Sequence, residues 1–107
     1  MARFEILFFA GCPAYRRARN NVLQVIAGGG AELSMRLVRH QRDAKDLDFH
    51  GSPTVRLDGA DVDPEGLSRF PEVGLYSRSY RWMGKEYDVP PEAMLRERLA
   101  SAKSRPP

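Results

Sequence analysis

Hydrophobic and polar positions change their period several times along this chain, and each change marks an element. Between Arg3 and Phe9, the residues Phe4, Ile6, Leu7, Phe8 and Phe9 form a nearly unbroken apolar run. That pattern predicts a strand covered on both faces near its end. After Pro13 the period lengthens: Tyr15, Ala18, Val22 and Ile26 recur at helical spacing, while Arg16, Arg17, Asn20 and Gln24 fall outside the stripe. Pro13 suits a first helical position, where its missing N–H has no partner to lose. Gly28-Gly29-Gly30 ends the helix. Leu33, Met35 and Leu37 then alternate with Ser34, Arg36 and Val38, which predicts a second strand. A strand–helix–strand unit of this length predicts a parallel pair with a right-handed crossover.

The segment from Arg39 to Asp48 is polar and predicts a loop or short exposed helix, anchored by Leu47 and Phe49. Thr54-Val55-Arg56-Leu57 predicts a third strand, closed by the turn pair Asp58-Gly59. Ala60 to Gly74 carries Pro64, Gly66, Pro71 and several acids, and reads as a long surface excursion. Leu75 to Trp82 predicts a fourth strand with Tyr76, Arg78, Tyr80 and Trp82 on one face, and Met83-Gly84-Lys85 turns the chain. Pro90-Pro91-Glu92 starts a last helix with Met94, Leu95, Leu99 and Ala102 inward. The expected architecture is α/β, a four-stranded mixed sheet flanked by helices over residues 1–103. Residues 104–107 are expected to form a frayed tail.

A length of 107 residues is enough for one compact domain and too short for two. The net charge of +3 comes from 17 Lys+Arg against 14 Asp+Glu, a mild surplus rather than a basic stripe, so nucleic acid is not an expected partner. No apolar run is long enough to span a bilayer. The start is too short in apolar core for a secretory signal, and Glu5 interrupts it. Phe9-Ala10-Gly11-Cys12 resembles a lipoprotein cleavage site, but cleavage there would remove the first strand. A cytoplasmic protein without a membrane partner is expected. The single cysteine, Cys12, rules out an internal disulfide and a multi-cysteine zinc site, and fits a reducing compartment. No metal and no cofactor are expected.

Cys12 stands where the first strand gives way to the first helix. A thiol at a helix N-terminus faces unpaired backbone N–H groups and the positive end of the dipole, which favour the nucleophilic thiolate. Arg16, Arg17 and Arg19 cluster on the same segment. The other reading of Cys12 is a small buried hydrophobe at a strand end, a common role for free cysteine.

Phe9-Ala10-Gly11-Cys12-Pro13-Ala14-Tyr15 resembles the redox motif Cys-Pro-x-Cys of the thioredoxin superfamily, with Tyr15 in place of the second cysteine. Ser52-Pro53-Thr54-Val55 resembles that superfamily's cis-proline step. The chain is also similar to a group of short bacterial thioredoxin-like, glutaredoxin-like proteins. The similarity lies in Gly11-Cys12-Pro13, Gly51 to Val55, Asp58-Gly59, Gly74 to Tyr80 and Val89 to Glu92. Ser77 departs from that group, whose members often carry cysteine there, so chemistry needing two thiols is not expected. Some of the group are labelled alkylmercury lyases. That activity resembles one needing paired thiolates on the metal, and it is not expected of a chain with one cysteine.

The resemblance implies a thioredoxin-like fold and a cis Ser52–Pro53 bond. It implies Cys12 as the catalytic thiol, forming a mixed disulfide with glutathione, a small thiol or a protein. Pro13, Tyr15, Arg16, Ser52, Pro53 and Thr54 would form the substrate-binding surround, with Ser52 presenting its backbone to an extended substrate. Apart from the resemblance, His50 reads first as an exposed loop histidine and second as a base or ion-pair partner for Cys12. The alternative from another class is a non-catalytic binding module that uses the Cys12/Pro53 groove for a peptide or partner chain.

Two further patterns carry little weight. Asp61-x-Asp63-x-Glu65-Gly66 with Glu72 approaches a calcium loop. Pro64 inside it, Arg69 on its ligand side and a preceding strand instead of a helix point to a solvated acidic loop. Tyr76, Arg78, Tyr80, Arg81 and Trp82 could stack nucleobases, but aromatic residues on a strand more often build core or interface.

Overall fold

The computed structural model describes residues 1–103, so the expected tail at 104–107 lies outside the described residues. In chain order the elements are β1 (Ala2–Phe8), α1 (Tyr15–Ile26), β2 (Ala31–Leu37), α2 (Gln41–Asp46), β3 (His50–Ser52) and β4 (Thr54–Leu57). They continue with β5 (Ala60–Asp61), α3 (Gly66–Arg69), β6 (Gly74–Ser77), β7 (Tyr80–Trp82), β8 (Lys85–Tyr87) and α4 (Glu92–Lys103).

The first apolar run sits at the centre. β1 pairs in parallel with β2 and antiparallel with β4, and β5 closes a four-stranded mixed sheet in the order β2-β1-β4-β5. Alternate residues of β1 serve two cores, because successive side chains of a strand point to opposite faces. Phe4 and Ile6 join Ala18, Val22 and Val25 of α1 and Met94, Leu95 and Leu99 of α4 in the larger cluster. Leu7 joins Val38, Ala44 and Phe49 in a smaller cluster under α2. Both helical stripes face inward as their periodicity predicts, and Phe49 and Leu47 anchor the α2 segment.

Three expectations need correction. Helix α1 begins at Tyr15, with Ala14 as its cap, instead of at Pro13. The expected fourth strand, Leu75 to Trp82, is broken at Arg78-Ser79 into two pieces. β6 pairs in parallel with β3, and β7 forms a hairpin with β8, so the fourth strand of the main sheet is the short β5 instead. The alternation survives the break: Arg78 and Tyr80 are buried, while Leu75, Ser77 and Arg81 are exposed. The stretch from Ala60 to Gly74 is not wholly a surface excursion, since it contains β5, α3 and the buried Val62 and Asp63. No helix among the described residues is long and apolar enough to cross a membrane.

Candidate functional site

The antiparallel register brings the two sequence motifs together. Leu7 lies opposite Thr54, so the chain leaving β1 toward Cys12 and the Ser52–Pro53 step entering β4 occupy the same end of the sheet. The Ser52–Pro53 bond is cis, as the resemblance implies. Between β1 and α1 the chain makes a tight turn, in which the Cys12 N–H donates to the Phe9 carbonyl at 3.0 Å. Ala10, Gly11 and Pro13 are exposed, whereas Cys12 itself is a free thiol only 3 % exposed, facing the main core. A buried thiol is thus flanked in sequence by exposed turn residues. The N-terminus of α1 has no side-chain cap and no acid in its first turn, so its free N–H groups keep their partial positive charge.

Tyr15 packs its ring on Phe8, with centroids 4.3 Å apart and planes 12° from parallel, and so builds the wall between turn and sheet. Arg16 does not reach toward the sulfur. Its Nε donates to Tyr15 Oη at 3.2 Å and its guanidinium lies 5.6 Å from the Tyr15 ring centroid. Arg17 pairs with Asp88. Two of the three clustered arginines, Arg16 and Arg17, are therefore engaged with other partners.

Ser52, Pro53 and Thr54 are all buried. The Ser52 carbonyl accepts the Arg78 N–H at 3.1 Å, so the backbone ledge that the resemblance implies is partly occupied by the chain itself. Ser52 Oγ is buried without a protein partner among the described residues. The Pro53 carbonyl accepts the Tyr80 hydroxyl at 2.5 Å, and Tyr80 Oη accepts the Val55 N–H at 3.1 Å. Thr54 Oγ1 donates to the Gly51 carbonyl at 2.6 Å. His50 is half-buried, with Nδ1 3.0 Å from the Phe70 carbonyl and Nε2 3.0 Å from Asp48 Oδ1. Both ring nitrogens are engaged, which leaves neither for the thiol.

Sequence reasoning missed the group that holds this segment. Arg78 is fully buried, and its Nη1 and Nη2 donate to the two carboxylate oxygens of Asp61 at 2.6 and 3.3 Å. Its guanidinium lies 4.3 Å from the Tyr80 ring centroid. Burial works against the charge of Arg78, but Tyr80, Asp61 and Asp63 together outweigh it and hold the guanidinium above its ordinary value. Burial pushes the Tyr80 phenol far up, although Arg78 opposes it. Asp63 Oδ2 accepts from Arg69 Nη2 at 2.9 Å and from the Arg81 N–H at 3.2 Å. The acids at 61 and 63, read from sequence as solvated, are thus buried counter-ions. No group of three or more His, Cys, Asp or Glu side chains among the described residues is placed to hold a metal ion. The row of aromatic residues at 76–82 is packing: Tyr80 is fully buried, and Arg98 lies over Trp82 at 5.4 Å. The usable sequence signal was the alternation itself, which placed Arg78 and Tyr80 on one face.

Beside the Cys12 turn runs an open groove of about 400 Å³, lined by Phe9, Gly11, Leu37, Val38, His40 and Leu75. Its walls are mostly apolar, with Arg39 and His40 at the rim. Compared with known proteins, the chain matches no family model, no curated protein and no solved structure at a significant level. The arrangement offers one buried thiol in the turn that leads to an uncapped helix N-terminus, and an open groove lined by residues on either side of that turn.

Proposed function

We propose that this chain is a single-cysteine, thioredoxin-like protein of thiol–disulfide chemistry with Cys12 as its nucleophile. The observation that carries the proposal is the register that sets the Cys12 turn and Pro53 at one end of the sheet. The uncapped, acid-free start of α1 supports it, since that end stabilises an anion. Cys12 belongs to the main core cluster while its neighbours Ala10, Gly11 and Pro13 are exposed, so the proposed reaction needs a local opening of residues 10–13 to free the sulfur.

The reaction is an exchange. The Cys12 thiolate attacks one sulfur of glutathione disulfide or a similar disulfide, the new S–S bond forms, and the other half leaves as a thiolate with the electron pair. Since the chain has no second cysteine, an outside thiol resolves the mixed disulfide by the same step. Tyr15 and Pro13 shape the turn. Ser52, Pro53 and Thr54 lie at the same end of the sheet on the adjoining strand, with the Ser52 carbonyl already bonded to the Arg78 N–H. Arg16 is left outside the reacting centre.

A second reading is favoured by the burial of Cys12 and the adjacent groove: a non-catalytic module that binds a peptide or partner chain beside a structural thiol. Incubation with glutathione disulfide near neutral pH, followed by intact-mass measurement, separates the two. The redox reading expects one glutathione on Cys12, removed by reductant and absent from Cys12→Ser. A folded protein that gains no adduct contradicts it and leaves the binding module as the better account.

A further inference from the structure

The strongest unassigned feature is the outer edge of the sheet. β2 is an edge strand of seven residues, with an unbroken register to β1, no proline and no bulge. Natural sheets blunt such edges with short strands, bulges, proline or charged side chains, because an open row of N–H and C=O groups invites another strand. Of those devices β2 has only charge, and its two charges, Glu32 and Arg36, are of opposite sign. Which residues turn outward follows from the hydrogen bonds at the strand's two ends. The Val38 N–H donates to the Phe8 carbonyl at 2.7 Å, and the Gly30 carbonyl accepts the Ala2 N–H at 3.4 Å. Even-numbered residues therefore bond to β1. Ala31, Leu33, Met35 and Leu37 direct their backbone groups to the open side.

We infer that β2 is a homodimer interface, in which β2 of a second copy pairs antiparallel about a two-fold axis at Ser34. In that register Leu33 meets Met35 and Ala31 meets Leu37, so every outward-turned residue finds an outward-turned partner. Glu32 meets Arg36 across the axis, twice by symmetry. These are the wider-bonded positions, where antiparallel side chains approach most closely. Shifting the register by two residues in either direction breaks both charge pairs and shortens the overlap. Arg36 is exposed and has no ion-pair partner among the described residues, while Glu32 already holds Arg3 at 2.8 Å. Dimerisation extends that row to Arg3–Glu32–Arg36.

The apolar face of the strand supports the same occupant. Met35 and Leu37 are each 37 % exposed although they lie on the side of the sheet that carries α1. On α1, Arg17 and Asn21 face the C-terminal segment through Asp88 and the Pro90 carbonyl. Leu23 projects from the opposite flank and is 45 % exposed. A second copy covers all three with the same three, as a two-fold interface requires. The partner is a second copy and not a different chain because both the charges and the apolar positions are complementary to themselves.

The test is the mass of the chain in solution across a dilution series, with reductant present so that no disulfide through Cys12 contributes. A dimer is expected. Arg36→Glu, which sets two like charges against Glu32 of the second copy, weakens it about ten-fold or more. The double exchange Glu32→Arg with Arg36→Glu restores it. Met35→Pro also gives a monomer, and it keeps the fold because the N–H at that position makes no bond within the chain. Independently, the amide protons of Leu33 and Met35 gain protection from exchange as concentration rises, while that of Ser34 does not. A chain that stays monomeric throughout overturns the inference. So does a dimer that ignores the charge reversal, or one whose Leu33 and Met35 amides stay unprotected.

Discussion

At Arg78 a full positive charge is buried because a bidentate carboxylate, a second acid and an aromatic face surround it. Arg78→Met removes the charge but leaves Asp61 buried without its partner. Loss of about 3–5 kcal/mol is expected from breaking one side of a buried pair, measured by urea unfolding. Tyr80 supplies a pH signature. Its phenol is held far above the ordinary value by burial, so the folded state binds that proton more tightly than the unfolded chain. The stability this confers is complete below the unfolded value near pH 10 and is lost as pH climbs through and beyond it. Between about pH 9 and about pH 11 the wild type should lose more stability than Tyr80→Phe, although the variant starts lower for lack of two hydrogen bonds. Parallel losses in both proteins would remove Tyr80 from the account. Arg16 is the contrary case: its guanidinium rests on Tyr15, so Arg16→Ala should leave the rate of Cys12 alkylation at fixed pH unchanged. A clear fall in rate would return Arg16 to the site. These residues also mark the limit of the sequence. Arg78 was visible as a member of an inward face, but a sequence shows a charge without showing the carboxylate that meets it from another strand.

Among the elements, those with a long period were legible and those that depend on a partner were not. The stripes of α1 and α4 and the alternation of β2 each span enough residues to declare themselves as elements, although Met35 and Leu37 of β2 stay exposed. Leu75 to Trp82 alternates as one strand but serves two sheets, because the Arg78 N–H turns to the Ser52 carbonyl and its side chain turns to Asp61. The short β5 had no periodicity to read. The crossing of β3 with this segment is tight at Gly51, whose φ is +90°. A Cβ there would lie 2.9 Å from Arg78 Cβ and 3.0 Å from Tyr76 Cε2. Gly51→Ala should therefore destabilise by more than about 1 kcal/mol, from backbone strain and collision together. A thermal midpoint equal to that of the wild type would show that the crossing is looser than described.

For the molecule as a whole, the mixed sheet and its flanking helices follow from the sequence, while the accessibility of its one thiol does not. Spacing placed Cys12 at the strand–helix junction, but only packing shows that the turn folds the sulfur inward over the core. The proposed chemistry therefore requires a local opening of residues 10–13 that leaves the rest of the fold intact. Local openings expose little surface and respond weakly to denaturant, whereas global unfolding responds steeply. The most direct test is the rate at which a small alkylating reagent modifies Cys12 as urea is raised through concentrations well below the unfolding transition. The account predicts measurable modification in buffer alone and a rate nearly independent of urea. A rate that is negligible in buffer and climbs in step with the global unfolding equilibrium would contradict it, and would make Cys12 a core residue.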